Sequence, residues 1–202
     1  MRKVIVCNIM SLDGYYTGPG GNVMAMPMDS AFNAYNVERM RTASTILLGA
    51  VSYQGFRSFW PSVADNPAMD EDNRELSRLY KDIEKLVVSD TLKPDADEPW
   101  YDTTTIVSRA AAHDYIRDLK TQAGKDILIY GSHILWNDLL AAGLVDELHL
   151  TVGSVVLGGG TPIFEGAQQH SLEPIDARTL DGECKNTLIR FKALPPGGHG
   201  RS

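Results

Sequence analysis

Apolar residues recur along this chain in two rhythms, and the two rhythms separate strands from helices. Val4 to Ile9 (VIVCNI) is an unbroken, largely β-branched run, which predicts a strand buried on both faces. Ser11 to Asn22 (SLDGYYTGPGGN) follows as a Gly-rich loop longer than an ordinary connection, and long ordered loops are frequently functional. After Pro27 a helix begins near Asp29, with Met28, Phe32 and Tyr35 on one face, and gives way to a second buried strand at Thr45 to Leu48. Gly49 closes that strand, Val51 to Phe56 reads as a short helix, and Trp60-Pro61 breaks the chain. From Asp72 onward the spacing of Leu76, Leu79, Tyr80 and Ile83 marks an amphipathic helix leading into a strand at Lys85 to Val88. A strand at Thr104 to Val107 enters a helix from Arg109 to Ala123, with Ile116 and Leu119 in its stripe and Gly124 as its stop. Ile127 to Tyr130 is again a buried strand, and Gly131-Ser132 turns the chain into a helix from Ile134 to Ala142 that Gly143 caps. The pattern then changes: Val145 to Val156, Ile175 to Leu180 and Thr187 to Lys192 read as strands with no helix between them.

Strand-helix units followed by a strand-only tail predict an α/β domain, with a mostly parallel sheet covered on both faces and an antiparallel C-terminal edge. With 202 residues, 43% of them hydrophobic, one core is expected, over residues 1–194, with 195–202 (PPGGHGRS) as a flexible tail. Charge narrows the partners. The 19 Lys+Arg against 26 Asp+Glu include no basic run, which argues against nucleic acid. The acidic stretch from Asp65 through Asp70-Glu71-Asp72 to Glu75 reads as a solvated loop and helix start. Cys7 and Cys184 are too few for a disulfide scaffold and too far apart for a metal motif, so a reduced, cytoplasmic setting is expected. No apolar run approaches the length of a membrane helix, and no signal peptide is visible.

Chemistry concentrates where strands run into helices. Leu48-Gly49-Ala50-Val51-Ser52, Val88-Ser89-Asp90-Thr91 and Ile129-Tyr130-Gly131-Ser132-His133 each read as a strand end passing into a helix start through small residues. Free backbone N–H groups at such junctions bind anions, and the carboxyl edge of an open parallel sheet is where ligands collect. Three in one sheet point toward a nucleotide. There is no phosphate-binding G-x-x-x-x-G-K-[ST], no G-x-G-x-x-G between strand and helix, no H-E-x-x-H and no C-x-x-C, and the five histidines lack metal-ligand spacing. Gly158-Gly159-Gly160 is either a flexible turn or a place where a ligand comes close to the backbone.

Gly131-Ser132-His133-Ile134-Leu135, followed by Leu139-Leu140-Ala141-Ala142-Gly143-Leu144-Val145-Asp146-Glu147-Leu148-His149-Leu150, resembles the dihydrofolate reductase superfamily. More narrowly, the chain is similar to stand-alone proteins like the C-terminal reductase domain of the bifunctional riboflavin-biosynthesis enzyme RibD. Asn8 to Tyr15, Leu47 to Phe56 with Phe59-Trp60-Pro61, Val87 to Leu92, and Val156 to Phe164 carry the same likeness in the same order. The resemblance implies a dihydrofolate reductase-like three-layer αβα sandwich. It also implies a reductase passing hydride from NADPH or NADH to a pteridine- or pyrimidine-type heterocycle, after the manner of a 5-amino-6-(5-phosphoribosylamino)uracil reductase. The zinc deaminase motifs of the bifunctional enzyme are absent. A dihydrofolate reductase and a non-catalytic nucleotide-binding domain of the same fold are the alternatives, and a homodimer is implied.

The resemblance further assigns cofactor contacts to Gly49, Ala50, Val51, Ser52, Val88, Ser89, Asp90, Arg109, Gly131, Ser132, His133, Ile134 and Leu135. Relatives commonly place Arg where this chain has Ala50, and Arg or Ser where it has Asp90. A carboxylate beside a ribose accepts from a 2′-hydroxyl and repels a 2′-phosphate, so NADH is expected to serve at least as well as NADPH, unless Arg109 restores the charge. Asp29, in Met26-Pro27-Met28-Asp29, matches the acid that helps protonate the substrate in dihydrofolate reductases, and it also stands where a helix N-cap belongs. Asp13 and Gly14, with Asn8 and Phe164, are the expected substrate contacts, and Asp13 has a turn-forming alternative.

Overall fold

A computed structural model of the chain describes residues 1–93, 95–166 and 169–195; of the expected C-terminal tail, all but Pro195 lies outside the described residues. The strands are β1 (Val4–Ser11), β2 (Tyr15–Thr17), β3 (Ala43–Gly49), β4 (Glu84–Val88), β5 (Thr104–Val107), β6 (Asp126–Tyr130), β7 (Glu147–Gly153), β8 (Thr161–Pro162), β9 (Leu172–Thr179) and β10 (Thr187–Ala193). Between them run α1 (Ser30–Arg41), α2 (Ala50–Phe59), α3 (Glu71–Asp82), α4 (Arg109–Thr121) and α5 (His133–Ala141). Eight strands form one sheet in the order β5-β4-β3-β6-β1-β7-β10-β9, while β2 and β8 pair separately. The first six of that sheet are parallel, and β10 and β9 continue it antiparallel.

Alternation along the parallel strands sorts the core into two layers. Val4, Val6, Leu47, Leu86, Ile127 and Ile129 pack with Ala112 and Ile116 of α4 and Trp136 and Leu139 of α5 on one face. Ile5, Cys7, Ile46, Leu48, Val87 and Leu128 pack with Val37 and Met40 of α1, Tyr53 of α2 and Leu76 and Tyr80 of α3 on the other. This is the three-layer sandwich. No helix among the described residues is long and apolar enough to cross a membrane.

Order matters for function. The chain leaves β3 through α2 and α3 toward β4, and leaves neighbouring β6 through α5 toward β7, on the opposite side. The topological switch point, where an open α/β sheet opens a crevice at its carboxyl edge, therefore lies between β3 and β6.

Several expectations shift. The Gly-rich loop contains β2, which reaches across to β8, and neither short strand was anticipated. No helix begins at Val88-Ser89-Asp90-Thr91: β4 ends in a loop, the Ser89 hydroxyl accepting from the Thr91 and Leu92 amides at 3.2 and 2.9 Å. Met28 stays exposed, while Tyr35, Val37 and Met40 form the buried stripe of α1. The acidic run resolves into a helix start, with Asp70 capping α3 through the Asn73 amide and Glu71 and Asp72 in the first turn.

Lys85 is the costly residue of this core. It is 1% exposed, its ammonium donating to Thr103 Oγ1 at 2.8 Å and lying 4.7 Å from the centre of the Trp100 ring. Desolvation pushes its pKa from 10.5 down to about 7, against a smaller opposing pull from Asp82. The folded chain thus gives up a proton that the unfolded chain keeps to 10.5, so the cost of Lys85 is full below pH 7 and fades as pH rises toward 10.5. Lys85→Met should raise the unfolding free energy by about 2 kcal/mol at pH 6 and by clearly less at pH 10. Equal gains in urea titrations at the two pH values would show that the charge is not what the core resists.

Candidate active site at the carboxyl edge of the sheet

The turn after β6 is built from two consecutive left-handed residues, Gly131 (φ +58°) and Ser132 (φ +51°). Glycine adopts this conformation freely and serine does not, so the turn needs support. Asn8, buried in β1, clamps it from below: its Oδ1 accepts from the Gly131 amide at 2.9 Å and its Nδ2 donates to the Gly131 carbonyl at 3.2 Å. Two serines tie it sideways to α2. Ser52 Oγ accepts from the Ser132 amide at 2.8 Å, and Ser132 Oγ accepts from the Gly49 amide at 3.1 Å. The N-termini of α2 and α5 are thereby fixed side by side at the switch point.

These two helices also start differently from the rest. Asp29 caps α1, Asp70 caps α3 and Ser108 caps α4, each accepting a first-turn amide. At α2 and α5 the N-cap positions, Gly49 and Ser132, provide no side-chain cap. First-turn N–H groups are left for solvent or a ligand, beside exposed apolar side chains: Val51 is 85% and Ile134 72% exposed. Ala50 opens α2, and Leu135 turns inward against the core. His133 is buried beneath Tyr16, the rings stacked at 4.9 Å and 11°; its Nδ1 lies 3.2 Å from Glu165 Oε1, and its Nε2 has no partner among the described residues.

Other expected site residues fall into separate clusters. Val88 and Ser89 are buried at the end of β4, and Asp90 reaches α4, where its Oδ1 accepts from the Arg109 amide at 2.9 Å. Asp13 clasps two loops: its carboxylate accepts from the Leu157 and Gly158 amides at 3.1 and 2.8 Å. Hydrogen bonding from Ser11, with those two amides, holds its pKa down to about 2. Gly14 supplies the turn at φ +85°, and its carbonyl accepts from the Ile163 amide. Phe164, half-exposed, lies edge-on to Trp136 at 5.6 Å. The glycine run is also a place of close approach, but to the chain itself: a Cβ on Gly160 would lie 1.9 Å from the Thr17 carbonyl oxygen.

Three of the expected site residues are held by contacts within the chain. Asn8 clamps Gly131, and Asp13 has both oxygens engaged by loop amides. Asp29 is buried with Oδ1 accepting from the Phe32 amide at 3.1 Å and Oδ2 from the Cys184 amide at 2.8 Å. The structure shows Asp29 as the cap of α1. Tyr16 and Asn137 were missed. Asn137, bridging the His133 and Ile163 carbonyls and the Glu165 amide, was signalled by a lone amide on the buried face of an apolar helix.

An open α/β sheet switching direction between β3 and β6, with two ligand-ready helix starts at that point, defines a protein of the dihydrofolate reductase fold type. The chain belongs to the RibD C-terminal domain family, whose model matches residues 2–188. It is 29% identical over 182 residues to the uncharacterised protein YyaP of Bacillus subtilis, with 89% of each chain covered. A putative riboflavin biosynthesis protein from Shewanella sp. PV-4 superposes with a TM-score of 0.67 at 21% identity, over 95% of this chain and 99% of that one. Dihydrofolate reductase from Enterococcus faecalis, solved with NADP(H) and RAB-propyl, superposes with a TM-score of 0.60 at 13% identity, over 95% and 96%.

If Asp29 is a cap, its loss registers in stability. Asp29→Ala should lower the unfolding free energy by about 1–2 kcal/mol, read in urea, because two partly buried amides lose their acceptor. A variant as stable as the parent would contradict that role.

Proposed function

We propose that the chain is an oxidoreductase that uses a reduced nicotinamide dinucleotide to reduce a pteridine- or pyrimidine-type heterocycle. The observation that carries this reading is the pair of uncapped helix starts, α2 and α5, locked together by Ser52 and Ser132. Two adjacent N-termini offer backbone donors and two positive dipole ends to the two phosphates of a pyrophosphate, and the net charge of −7 is no obstacle because the donors are uncharged amides. The residues therefore fit the group: Ala50 to Ser52 and His133 to Leu135 would hold the pyrophosphate. The Enterococcus enzyme of the same fold, solved with NADP(H), supports the choice of ligand.

When bound, the reduced nicotinamide supplies the hydride. The chain's own residues shape the rest. Leu12 and Val156, both exposed, lie on adjoining loops over the β1–β7 end, where the Leu12 amide donates to the Val155 carbonyl. An apolar surface there suits a flat, uncharged ring and excludes water from it. Basic residues are scarce at this end. Among the described residues of 12–29, 154–166 and 181–186 the one Lys or Arg is Lys185, already paired with Asp181 at 2.6 Å. Arg39 and Arg41 at the end of α1 and Arg57 in α2, the nearest in sequence, pair with Glu38, Glu75 and Glu98. A heterocycle without a phosphate fits this rim better than a phosphoribosyl one.

Ile134→Asp tests the cradle. The position is exposed and an acidic residue at a helix start is favourable, so the fold should persist. Titration with reduced nicotinamide dinucleotides should show binding weakened by roughly tenfold or more, because a fixed carboxylate competes for the same amides. Unchanged affinity in the variant would remove the pyrophosphate from α5.

A further inference from the structure

The ends of the crevice differ, and the difference bears on which dinucleotide the cradle accepts. A ligand whose pyrophosphate sits between β3 and β6 must send one arm toward β1 and β7 and the other toward β4 and β5. The first direction carries the apolar residues Leu12 and Val156, suited to a redox ring. The second carries hydrogen-bonding and charged groups, Ser89, Asp90 and Arg109, suited to the hydroxyls of a ribose.

At this second end the chain has already used several of the backbone donors that a phosphate would meet. The Ser89 amide donates to the Val107 carbonyl at 2.9 Å, and the Thr91 and Leu92 amides both donate to the Ser89 hydroxyl. The N-terminus of α4 is capped twice. Ser108 Oγ accepts from the Ala111 amide at 3.3 Å, and Asp90 Oδ1 accepts from the Arg109 amide at 2.9 Å. The Arg109 guanidinium stays within 3.7 Å of Asp90 Oδ2. A carboxylate of the protein thus occupies the positive end of α4, beside the edge, and Asp90 remains about half exposed with its second oxygen held only by that loose surface pair. This contrasts with α2 and α5, whose starts are left open.

We infer that Asp90 is the residue that sets nucleotide specificity, accepting a hydrogen bond from a free ribose 2′-hydroxyl and repelling a 2′-phosphate, so that the chain uses NADH in preference to NADPH. The inference rests on the nicotinamide reading of the α2–α5 cradle. Its chemistry is that of two anions and one hydroxyl. A dianionic phosphate next to a fixed carboxylate meets one neighbouring cation, Arg109, whose charge Asp90 already balances, whereas a hydroxyl donates to that carboxylate at no such cost. Ala50, at the start of α2, adds a methyl group and no charge.

Binding of NADH and NADPH is to be measured by calorimetry for the parent chain, Asp90→Asn and Asp90→Ser. Asn keeps an oxygen for the Arg109 amide and so preserves the cap while removing the charge; Ser covers the case in which Asn fails to fold. The parent should bind NADH roughly tenfold or more tightly than NADPH, and either variant should shrink that ratio by about tenfold, chiefly by gaining NADPH affinity. Equal or tighter NADPH binding by the parent, or a ratio unmoved in both variants, would overturn the role of Asp90 while leaving the cradle intact. If neither nucleotide binds the parent, the nicotinamide reading falls, and this inference with it.

Discussion

Gly131 and Ser132 hold two successive left-handed conformations, and the arrangement at the carboxyl edge depends on that turn being kept in place. A serine at φ +51° is unfavourable on its own and persists because its surroundings over-determine it. Asn8 satisfies both backbone groups of Gly131, and the paired serines join Ser132 to the start of α2. Since Asn8 belongs to β1, Ser52 to α2 and Ser132 to the start of α5, the tie links three elements distant in sequence at one point of the sheet. Ser132 itself, left-handed and with its Oγ on the Gly49 amide, provides no side-chain cap to α5. An open helix start is thus a direct consequence of how the turn is fastened.

Close approach governs the loops above that edge. Gly160 has no room for a Cβ because the Thr17 carbonyl comes within 1.9 Å of where it would stand, and a Cβ on Gly153 would lie 2.8 Å from the Pro27 ring. Asp13 then fastens the loop after β1 to the loop after β7 through two amides. These contacts build a wall on the β1–β7 side, while the β4–β5 side carries the connection that leaves β4 at Ser89 and the capped start of α4. The two ends of the edge thus differ, one apolar and walled, the other polar.

Much of this was legible in the sequence. The order of the large strands and of all five helices follows from β-branched runs and 3.6-residue stripes, since these sample many side chains each. The paired strands β2 and β8, three and two residues long, present too few side chains for any period. Ser89-Asp90 looked like a helix start because small polar residues after a strand commonly cap one. Asp90 does cap a helix, but that helix begins at Arg109 and the link is visible only once β4 and β5 lie side by side. Residue types at the cradle and the cap at Asp29 were readable; the contacts of Asn8 and Asp13 and the second bond of Asp29 were not, because each depends on a partner far along the chain. Asp29 pairs with Cys184 and Asn8 with Gly131.

The central claim is that paired, uncapped helix starts form a pyrophosphate cradle at the switch point. Backbone amide NMR of the chain titrated with NADH tests it most directly, since amides that bind phosphate shift strongly. Binding in the cradle predicts the largest shifts at Val51, Ser52, Ile134 and Leu135, with smaller ones at Asp90 and Arg109. Saturable shifts confined to other surfaces, with these amides unmoved, would contradict it.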